Sequence, residues 1–168
     1  MKYLILILLV MTVNGISNSQ DTLKEGDAAP DFTLQSEGDE WIKLSDFKGK
    51  SVVVLYFYPK DFTSGCTKQA CNFRDNISGI QDYNAVVLGL SVDDAETHKK
   101  FKEEYKLNYT LLADTAKEVS KIYSGLRESG SANRVTFIID KAGVINKIYR
   151  NFDVNENYKE IIEFLKSM

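Results

Sequence analysis

The sequence predicts one α/β domain in which a central mixed sheet is flanked by helices and preceded by an N-terminal β-hairpin. Two continuous apolar runs, 51–58 and 85–92, have the β-branched and aromatic composition of strands buried on both faces. Segments with helical spacing alternate with these runs, as in α/β sheets with helices on both faces. A hairpin pattern near the end adds antiparallel pairing, so the sheet is predicted to be mixed.

The individual elements follow from periodicity and turn residues. The predicted strands are bounded by turn residues and cover 32–35, 41–44, 51–58, 85–92, 109–113, 134–140 and 144–149. The predicted helices have apolar residues at three- and four-residue spacing and cover 65–83, 95–105, 115–123 and 156–166. Asp93 or Asp94 can cap the second of these helices. No repeat or linker interrupts the series, which indicates a single domain over 21–168.

The first residues differ from the rest of the chain. Lys2 precedes an apolar run at 3–13, and a polar segment at 14–20 follows at once. This arrangement is typical of a secretory signal. The run is shorter than the roughly 20 apolar residues that a spanning helix needs. We therefore expect residues 1–20 to be a signal peptide and the protein to be exported to a periplasmic or secretory compartment, without stable membrane association once processed. The alternative is an uncleaved membrane anchor.

Composition excludes some functions and leaves the cysteines to be explained. The formal net charge is -3 and the Lys and Arg residues are scattered, so nothing suggests a nucleic-acid surface. A domain of this length can bury a full core without covalent staples. A bridge between the two cysteines, Cys66 and Cys71, would close a short loop and add little stability. A purely structural disulfide is therefore disfavoured.

The predicted position of Cys66 favours a reactive thiol. It lies in the first turn of a helix, where free N–H groups and the helix dipole stabilise a thiolate. In an intact helix, Cα atoms five residues apart are separated by roughly 8.6 Å. A disulfide needs a Cα separation of about 4.4–6.8 Å. Bonding between Cys66 and Cys71 therefore requires the first helical turn to unwind.

Several polar residues are expected near Cys66. The hydroxyl of Thr63 could hydrogen-bond the thiolate or a bound oxygen, and Arg134 begins a strand expected beside the central one. Donors aimed at a departing oxygen favour attack on a peroxide, and the resulting sulfenic acid condenses with a second thiol. Gln69 could orient Arg134. The only histidine, His98, lies among polar residues and is predicted to be solvated at the surface.

The segment 56–75 closely resembles the atypical two-cysteine peroxiredoxins of the bacterioferritin comigratory protein, or peroxiredoxin Q, group. Its Pro-x-x-x-Thr-x-x-Cys pattern is met by Pro59, Thr63 and Cys66, and Cys71 has the spacing of the resolving cysteine. Arg134 resembles the active-site arginine of the family. The resemblance implies a thioredoxin-like fold, with these five residues at the catalytic site.

The same resemblance implies the reaction and its partners. Hydrogen peroxide and organic hydroperoxides would be reduced through a sulfenic acid at Cys66 and a disulfide to Cys71. A thioredoxin-like donor would recycle the enzyme, with no metal or organic cofactor, and the protein is expected to be a monomer. One departure is Ser64, where the family usually has proline. The loss of proline frees φ and adds a backbone donor, so the loop before Cys66 is predicted to be looser.

Three other functions stay open at this stage. An exported thioredoxin-like thiol-disulfide oxidoreductase would normally use Cys-x-x-Cys, whereas four residues separate the cysteines here. A copper chaperone of the thioredoxin fold would use soft thiolates and a distant histidine, and His98 is poorly placed for that role. The third alternative is a purely structural exported domain.

Overall fold

The computed structural model describes residues 22–168, so the predicted signal peptide at 1–20 lies outside the described residues. The strands are β1 (Thr33–Ser36), β2 (Trp41–Lys43), β3 (Val52–Phe57), β4 (Ala85–Ser91), β5 (Thr110–Ala113), β6 (Val135–Ile139) and β7 (Ile145–Tyr149). The helices are α1 (Ser64–Asp75), α2 (Ile77–Gln81), α3 (Ala95–Tyr105), α4 (Glu118–Tyr123) and α5 (Asn157–Ser167). Over the described range, no helix combines the length and apolar character needed to cross a membrane.

The strands form one mixed sheet in the order β2-β1-β5-β4-β3-β6-β7. β3 is an interior strand, parallel to β4 and antiparallel to β6. The N-terminal hairpin β1–β2 joins one side through an antiparallel contact with β5, and β7 closes the other side against β6. The predicted mixed sheet with an N-terminal hairpin is therefore confirmed.

Both faces of the sheet are covered, which explains the uninterrupted apolar run of β3. All six residues of β3 are buried. Val54 and Tyr56 belong to the core shared with α1, α2, α3 and α5. Val53 and Leu55 belong to the opposite core, which contains residues of α4 and the N-terminal hairpin region. A strand buried on both faces has no solvent side and therefore shows no polar alternation.

The predicted helix over 65–83 is wrong in one respect, because it is divided into α1 and α2 at Asn76. Asn76 has φ -117° and ψ 15°, outside the helical region. Its side-chain amide donates to the carbonyl of Asn72 at 2.9 Å. Such local bonds from short polar side chains compete with the helical ladder. α4 also begins later than predicted, at Glu118, because Lys117 has a left-handed φ of 63°.

Candidate active site

The antiparallel pairing of β3 and β6 brings two distant chain segments to one end of the sheet. Phe57, the last residue of β3, is paired with Val135, the first residue of β6. The loop that follows β3 leads into α1 at Ser64, and Arg134 directly precedes Val135. Arg134 and the start of α1 therefore meet at the same end of the sheet, as the sequence predicts.

Cys66 lies in the first turn of α1 and is only 2% exposed. Thr63 is the N-cap residue and has an extended backbone, with φ -83° and ψ 145°. The first backbone N–H groups of a helix have no partner within it, and the helix dipole is positive at this end. The first turn of α1 contains no acidic residue. The start of α1 therefore presents free N–H groups and the positive end of the helix dipole near the sulfur.

Arg134 adds a cation in direct contact with the sulfur. Its Nη2 lies 3.3 Å from Cys66 Sγ. Its Nη1 donates to Oε1 of Gln69, which is 1% exposed. Because the guanidinium group is planar, contacts at two nitrogens fix its orientation as well as its distance. The structure thus places Cys66, Arg134 and Gln69 together, as the sequence analysis expects.

Thr63 lies beside the site but does not make the hydrogen bond that the sequence analysis expects. Its Oγ1 donates to the carbonyl of Lys60 at 3.0 Å. Within residues 22–168, no hydrogen bond joins the Thr63 hydroxyl to Cys66. A hydroxyl has a single proton, so its bond to Lys60 leaves only lone pairs to accept a proton from a bound hydroperoxide. Pro59, half-buried, begins the loop directly after Tyr58.

Cys71 lies in the same helix as Cys66, and both thiols are free. Cys71 is half-buried. Continuous helix between the two positions keeps their Cα atoms roughly 8.6 Å apart, too far for a disulfide. The arrangement is therefore that of a reduced protein whose helix must open before the two sulfurs can bond.

The prediction that His98 is solvated at the surface is wrong, because its side chain is fully buried. Its Nδ1 lies 2.7 Å from Oδ2 of Asp61, and its Nε2 lies 3.1 Å from the carbonyl oxygen of Leu112. The polar neighbours of His98 in sequence point to solvent, whereas His98 and Phe101 share the inner face of α3. The three-residue spacing to Phe101 is the signal that could have revealed this burial.

Asp61 is a second buried residue that the sequence analysis missed. It belongs to the loop between β3 and α1 and is 2% exposed. The hydroxyl of Tyr58 donates to Asp61 Oδ1 at 2.7 Å. Burial, followed by the negative charge of Asp61, raises the pKa of Tyr58 well above its ordinary value. The Tyr58 hydroxyl therefore keeps its proton and remains a donor.

The polar groups around the site do not assemble a metal centre. Across the part of the chain that the structure describes, no three His, Cys, Asp or Glu side chains are grouped to hold a metal ion. The His98 ring, which a copper chaperone would need as a ligand, has both nitrogens facing oxygen atoms of Asp61 and Leu112. The arrangement suits thiol chemistry supported by a guanidinium group.

Comparison with known proteins adds independent information on the family. The AhpC/TSA family matches residues 25–148. A chloroplastic peroxiredoxin Q of Suaeda salsa is 43% identical over 149 residues, covering 87% of this chain and 69% of the relative. Peroxiredoxin Bcp of Bacillus subtilis (strain 168) is 40% identical over 154 residues, covering 88% of this chain and 98% of the relative.

Solved structures agree with these sequence matches. The crystal structure of peroxidoxin BcpB from Mycobacterium tuberculosis has a TM-score of 0.82 and 30% identity, covering 87% of this chain and 98% of the other. A mutant of PrxQ from Xylella fastidiosa has a TM-score of 0.81 and 27% identity, covering 86% of this chain and 96% of the other. The thioredoxin-like fold implied by the sequence resemblance is confirmed.

Proposed function

This chain belongs to the AhpC/TSA family and is a thiol-dependent peroxidase of the peroxiredoxin type, and from this premise we propose that Cys66 is the residue that attacks the peroxide. The observation that supports this role most directly is the 3.3 Å contact between Arg134 Nη2 and Cys66 Sγ at the start of α1. A cation and the free N–H groups of the helix start together stabilise the thiolate, which is the nucleophilic form.

In the first step, a sulfur lone pair of Cys66 forms a bond to one oxygen of the hydroperoxide. The O–O bond breaks, and its electron pair leaves on the second oxygen, which takes up a proton and departs as an alcohol or water. Cys66 is oxidised to a sulfenic acid as the peroxide is reduced. Arg134 is placed to stabilise negative charge on the departing oxygen, as a fixed donor does in other displacements.

In the second step, we propose that Cys71 resolves the sulfenic acid. Its sulfur attacks Cys66 Sγ, an S–S bond forms, and the sulfenic oxygen leaves as water. The helical separation of the two residues means that the first turn of α1 opens before this bond forms. A thioredoxin-type dithiol then reduces the disulfide and restores both thiols, which closes the cycle without a metal or organic cofactor.

The setting of this cycle is also a proposal. The positive, apolar and polar stretches of residues 1–20 support export. A domain of this size can bury its core without a second copy, which supports a monomer. Mass spectrometry of the N-terminus of the protein from its native host, together with light scattering of the reduced domain, would test both statements. An N-terminus at Met1 would contradict signal cleavage, and a dimeric mass would contradict the monomer.

The thiol-disulfide oxidoreductase and the copper chaperone are not favoured. The curated relatives are named peroxiredoxins, and four residues separate the cysteines, whereas thiol-disulfide oxidoreductases of this fold use a two-residue spacing. A copper chaperone would need His98 as a ligand, but that ring is buried against Asp61.

A coupled turnover assay tests the residue assignments. The protein is supplied with thioredoxin, its reductase and NADPH, and hydrogen peroxide consumption is followed for the wild type and for Cys66→Ser and Cys71→Ser. We expect Cys66→Ser to be inactive. Cys71→Ser should complete one turnover and then stop with thioredoxin, and a dimedone-like reagent should trap a sulfenic acid on Cys66. Full turnover in Cys66→Ser would rule out the mechanism, and the absence of trapped sulfenic acid in Cys71→Ser would count against Cys71 as the resolving residue.

A further inference from the structure

The loop between β3 and α1 is tied to the protein interior through Asp61. Its Oδ1 accepts a hydrogen bond from the Tyr58 hydroxyl at 2.7 Å, and its Oδ2 lies 2.7 Å from Nδ1 of His98. Its backbone N–H donates to Oδ2 of Asp93 at 2.8 Å. Through these three contacts, the short loop before the reactive cysteine is joined to Tyr58 next to β3, to α3 and to the segment between β4 and α3.

Asp61 and His98 form a buried hydrogen-bonded pair. The carbonyl oxygen of Leu112 can only accept, so the His98 Nε2 that faces it carries a hydrogen. The 2.7 Å between Nδ1 of His98 and Oδ2 of Asp61 is a hydrogen-bond distance, so a hydrogen lies between these two atoms. Almost no solvent reaches either side chain: the exposed fraction is 0% for the His98 side chain and 1% for the Asp61 side chain. Removal of one partner from such a pair leaves the other buried and unpaired.

The residue after Asp61 has a strained backbone. Phe62 has φ of 60°, a left-handed conformation that is unusual for an aromatic residue. Its ring packs edge-on against Phe101, with ring centroids 5.1 Å apart. Strain of this kind persists only where surrounding contacts over-determine it. The buried Asp61 on one side and the ring of Phe101 on the other side hold this turn.

The turn at Phe62 determines how the chain enters α1. Thr63, the helix N-cap, follows immediately. Cys66 lies three residues further on, in contact with Arg134. Phe101 and His98 both belong to α3, and both are fully buried. The face of α3 that touches the loop is therefore a rigid support for the start of the helix that bears the sulfur.

We propose that Asp61 and His98 are positioning residues for the peroxidase reaction, because they hold the Phe62 turn and thereby set Cys66 against Arg134. The inference rests on the proposed function of Cys66. Within the described residues, neither side chain hydrogen-bonds Cys66, so both act through the backbone between Asp61 and the first turn of α1. A peroxide reaction depends on the placement of sulfur and cation, and small misplacements of reacting groups have large effects on rate.

The first experiment compares Asp61→Ala with Asp61→Asn. The fully reduced proteins are mixed with hydrogen peroxide in a quenched-flow instrument, and oxidation of Cys66 is followed by mass spectrometry. Alanine removes all side-chain contacts, and we expect the second-order rate constant to fall roughly 10- to 100-fold. In Asp61→Asn, the amide oxygen can accept from Tyr58 and the amide nitrogen can donate to a neutral His98. We therefore expect the rate constant to stay within about threefold of the wild type.

A control variant separates positioning from general loss of stability. Ile145 is fully buried and pairs with Ile139, at the end of β6 opposite Arg134. Ile145→Ala lowers the thermal midpoint by creating a cavity far from the site. We expect it to keep the wild-type rate constant at temperatures well below its midpoint. If Ile145→Ala slows the reaction as much as Asp61→Ala, the positioning role is wrong.

A second pair of variants decides the matter if Asp61→Ala does not fold. His98→Asn places an amide nitrogen where Nδ1 contacts Asp61, whereas His98→Gln places one where Nε2 contacts Leu112. We expect His98→Asn to keep most of the rate and His98→Gln to lose it. Equal rates in the two variants, or equal rates in Asp61→Ala and the wild type, would overturn the proposal. If the wild type itself does not oxidise at Cys66, the proposed function fails instead.

Discussion

At the scale of single residues, the site depends on the contact between a buried sulfur and a cation. Cys66 is 2% exposed. The Arg134 guanidinium lies 3.3 Å away and places a positive charge beside the sulfur. Oε1 of Gln69 accepts from the other terminal nitrogen of the same guanidinium group and fixes the orientation of its plane. The two contacts use the fork geometry of arginine, which a lysine lacks.

Replacement of Arg134 by lysine tests this geometry. Lysine keeps the positive charge but cannot contact Cys66 and Gln69 at fixed angles. We expect Arg134→Lys to lower the second-order rate constant with hydrogen peroxide about 100-fold, the effect of losing one fixed donor in other enzymes. The measurement is stopped-flow peroxide consumption under single-turnover conditions.

Arg150→Lys is the matched control for this substitution, because Arg150 is exposed and its guanidinium donates to the carbonyl of Leu23. We expect it to react at the wild-type rate. A wild-type rate in Arg134→Lys would show that positive charge alone, without the two-nitrogen contact of the guanidinium group, supports the reaction.

Residues of the site differed in how far the sequence could predict them. Cys66 and Gln69 are one turn apart in a single helix, so their proximity follows from helical geometry. Arg134 was predictable because β6 pairs with the central strand. The burial of His98 depends on the rotation of α3 against the sheet, which its polar sequence neighbours concealed. The Thr63 hydroxyl donates to the Lys60 carbonyl within the same turn. No pattern in the sequence distinguishes that partner from Cys66.

At the scale of elements, the two halves of α1 are held differently. The C-terminal half has side-chain bonds from other parts of the chain: Tyr109 donates to the carbonyl of Ala70 at 3.1 Å, and Asn72 donates to that of Val154 at 2.9 Å. The N-terminal half is held by Arg134 through Cys66 and Gln69. Both contacts of this half come from a single side chain, so this half is the part expected to open when the disulfide forms.

Hydrogen exchange should show where α1 opens. We expect backbone amides over 67–71 to lose protection after one equivalent of hydrogen peroxide, because disulfide formation breaks their helical bonds. Amides of α5 should exchange at the same rate in both states. Cys71→Ser is the control, since it cannot form the internal disulfide and should keep the protection of α1. Unchanged exchange over 67–71 in the oxidised wild type would contradict unwinding.

The packing of β4 against β3 depends on one glycine. A Cβ at Gly89 would lie 2.7 Å from the Tyr56 hydroxyl and 2.7 Å from Cδ2 of Leu111. Both neighbours are buried in the core, so neither can move away freely. We expect Gly89→Ala to destabilise the protein by about 1–3 kcal/mol, the usual cost of overpacking. Urea unfolding followed by circular dichroism measures this change.

Gly38→Ala is the control for the glycine test. Gly38 is exposed, and a Cβ there would meet only Ser36 Oγ at the ordinary distance of 3.8 Å. We expect little change in its free energy of unfolding. Equal stability of Gly89→Ala and the wild type would mean that the sheet and Tyr56 can shift to accept a methyl group.

Most elements were predictable because their signals are local. The helix over 95–105 has both the apolar spacing and the cap, and the Asp94 carboxylate does accept from the Thr97 N–H at 2.7 Å. The break at Asn76 was missed because apolar spacing continues across it, from Phe73 to Ile80. The first helix ends at Asn76, whose side-chain amide bonds the Asn72 carbonyl, and such a bond depends on the rotamer rather than on the pattern.

At the scale of the whole molecule, the first described residues are joined to β7, the strand at one edge of the sheet. The Glu25 carboxylate accepts from the Ile148 N–H at 3.1 Å and pairs with Lys147 at 3.2 Å. The hydrogen bond from Ile148, aided by Lys147 and opposed by partial burial, lowers the pKa of Glu25 below its usual value of 4.5. A lowered pKa in the folded state means that Glu25 stabilises the fold above the unfolded pKa and that this contribution is lost as the pH falls through the folded pKa.

Unfolding at two pH values tests this link. We expect Glu25→Gln to be less stable than the wild type at pH ~7 and to approach it below the ordinary glutamate pKa, where Glu25 of the wild type becomes protonated. The measurement is urea unfolding of both proteins at each pH. Glu40→Gln, at an exposed position, should follow the wild type throughout. A constant difference between Glu25→Gln and the wild type at both pH values would contradict the assigned ionisation.

In the whole molecule, we expect one peroxide molecule to consume both thiols of one chain. The most direct measurement is a thiol titration, with intact mass, before and after one equivalent of hydrogen peroxide. The reduced protein has two thiols, Cys66 and Cys71. We expect none to remain and the mass to fall by that of two hydrogen atoms, while Cys66→Ser keeps its thiol and leaves the peroxide unconsumed. Two thiols remaining in the wild type, with the peroxide intact, would contradict the central role of Cys66.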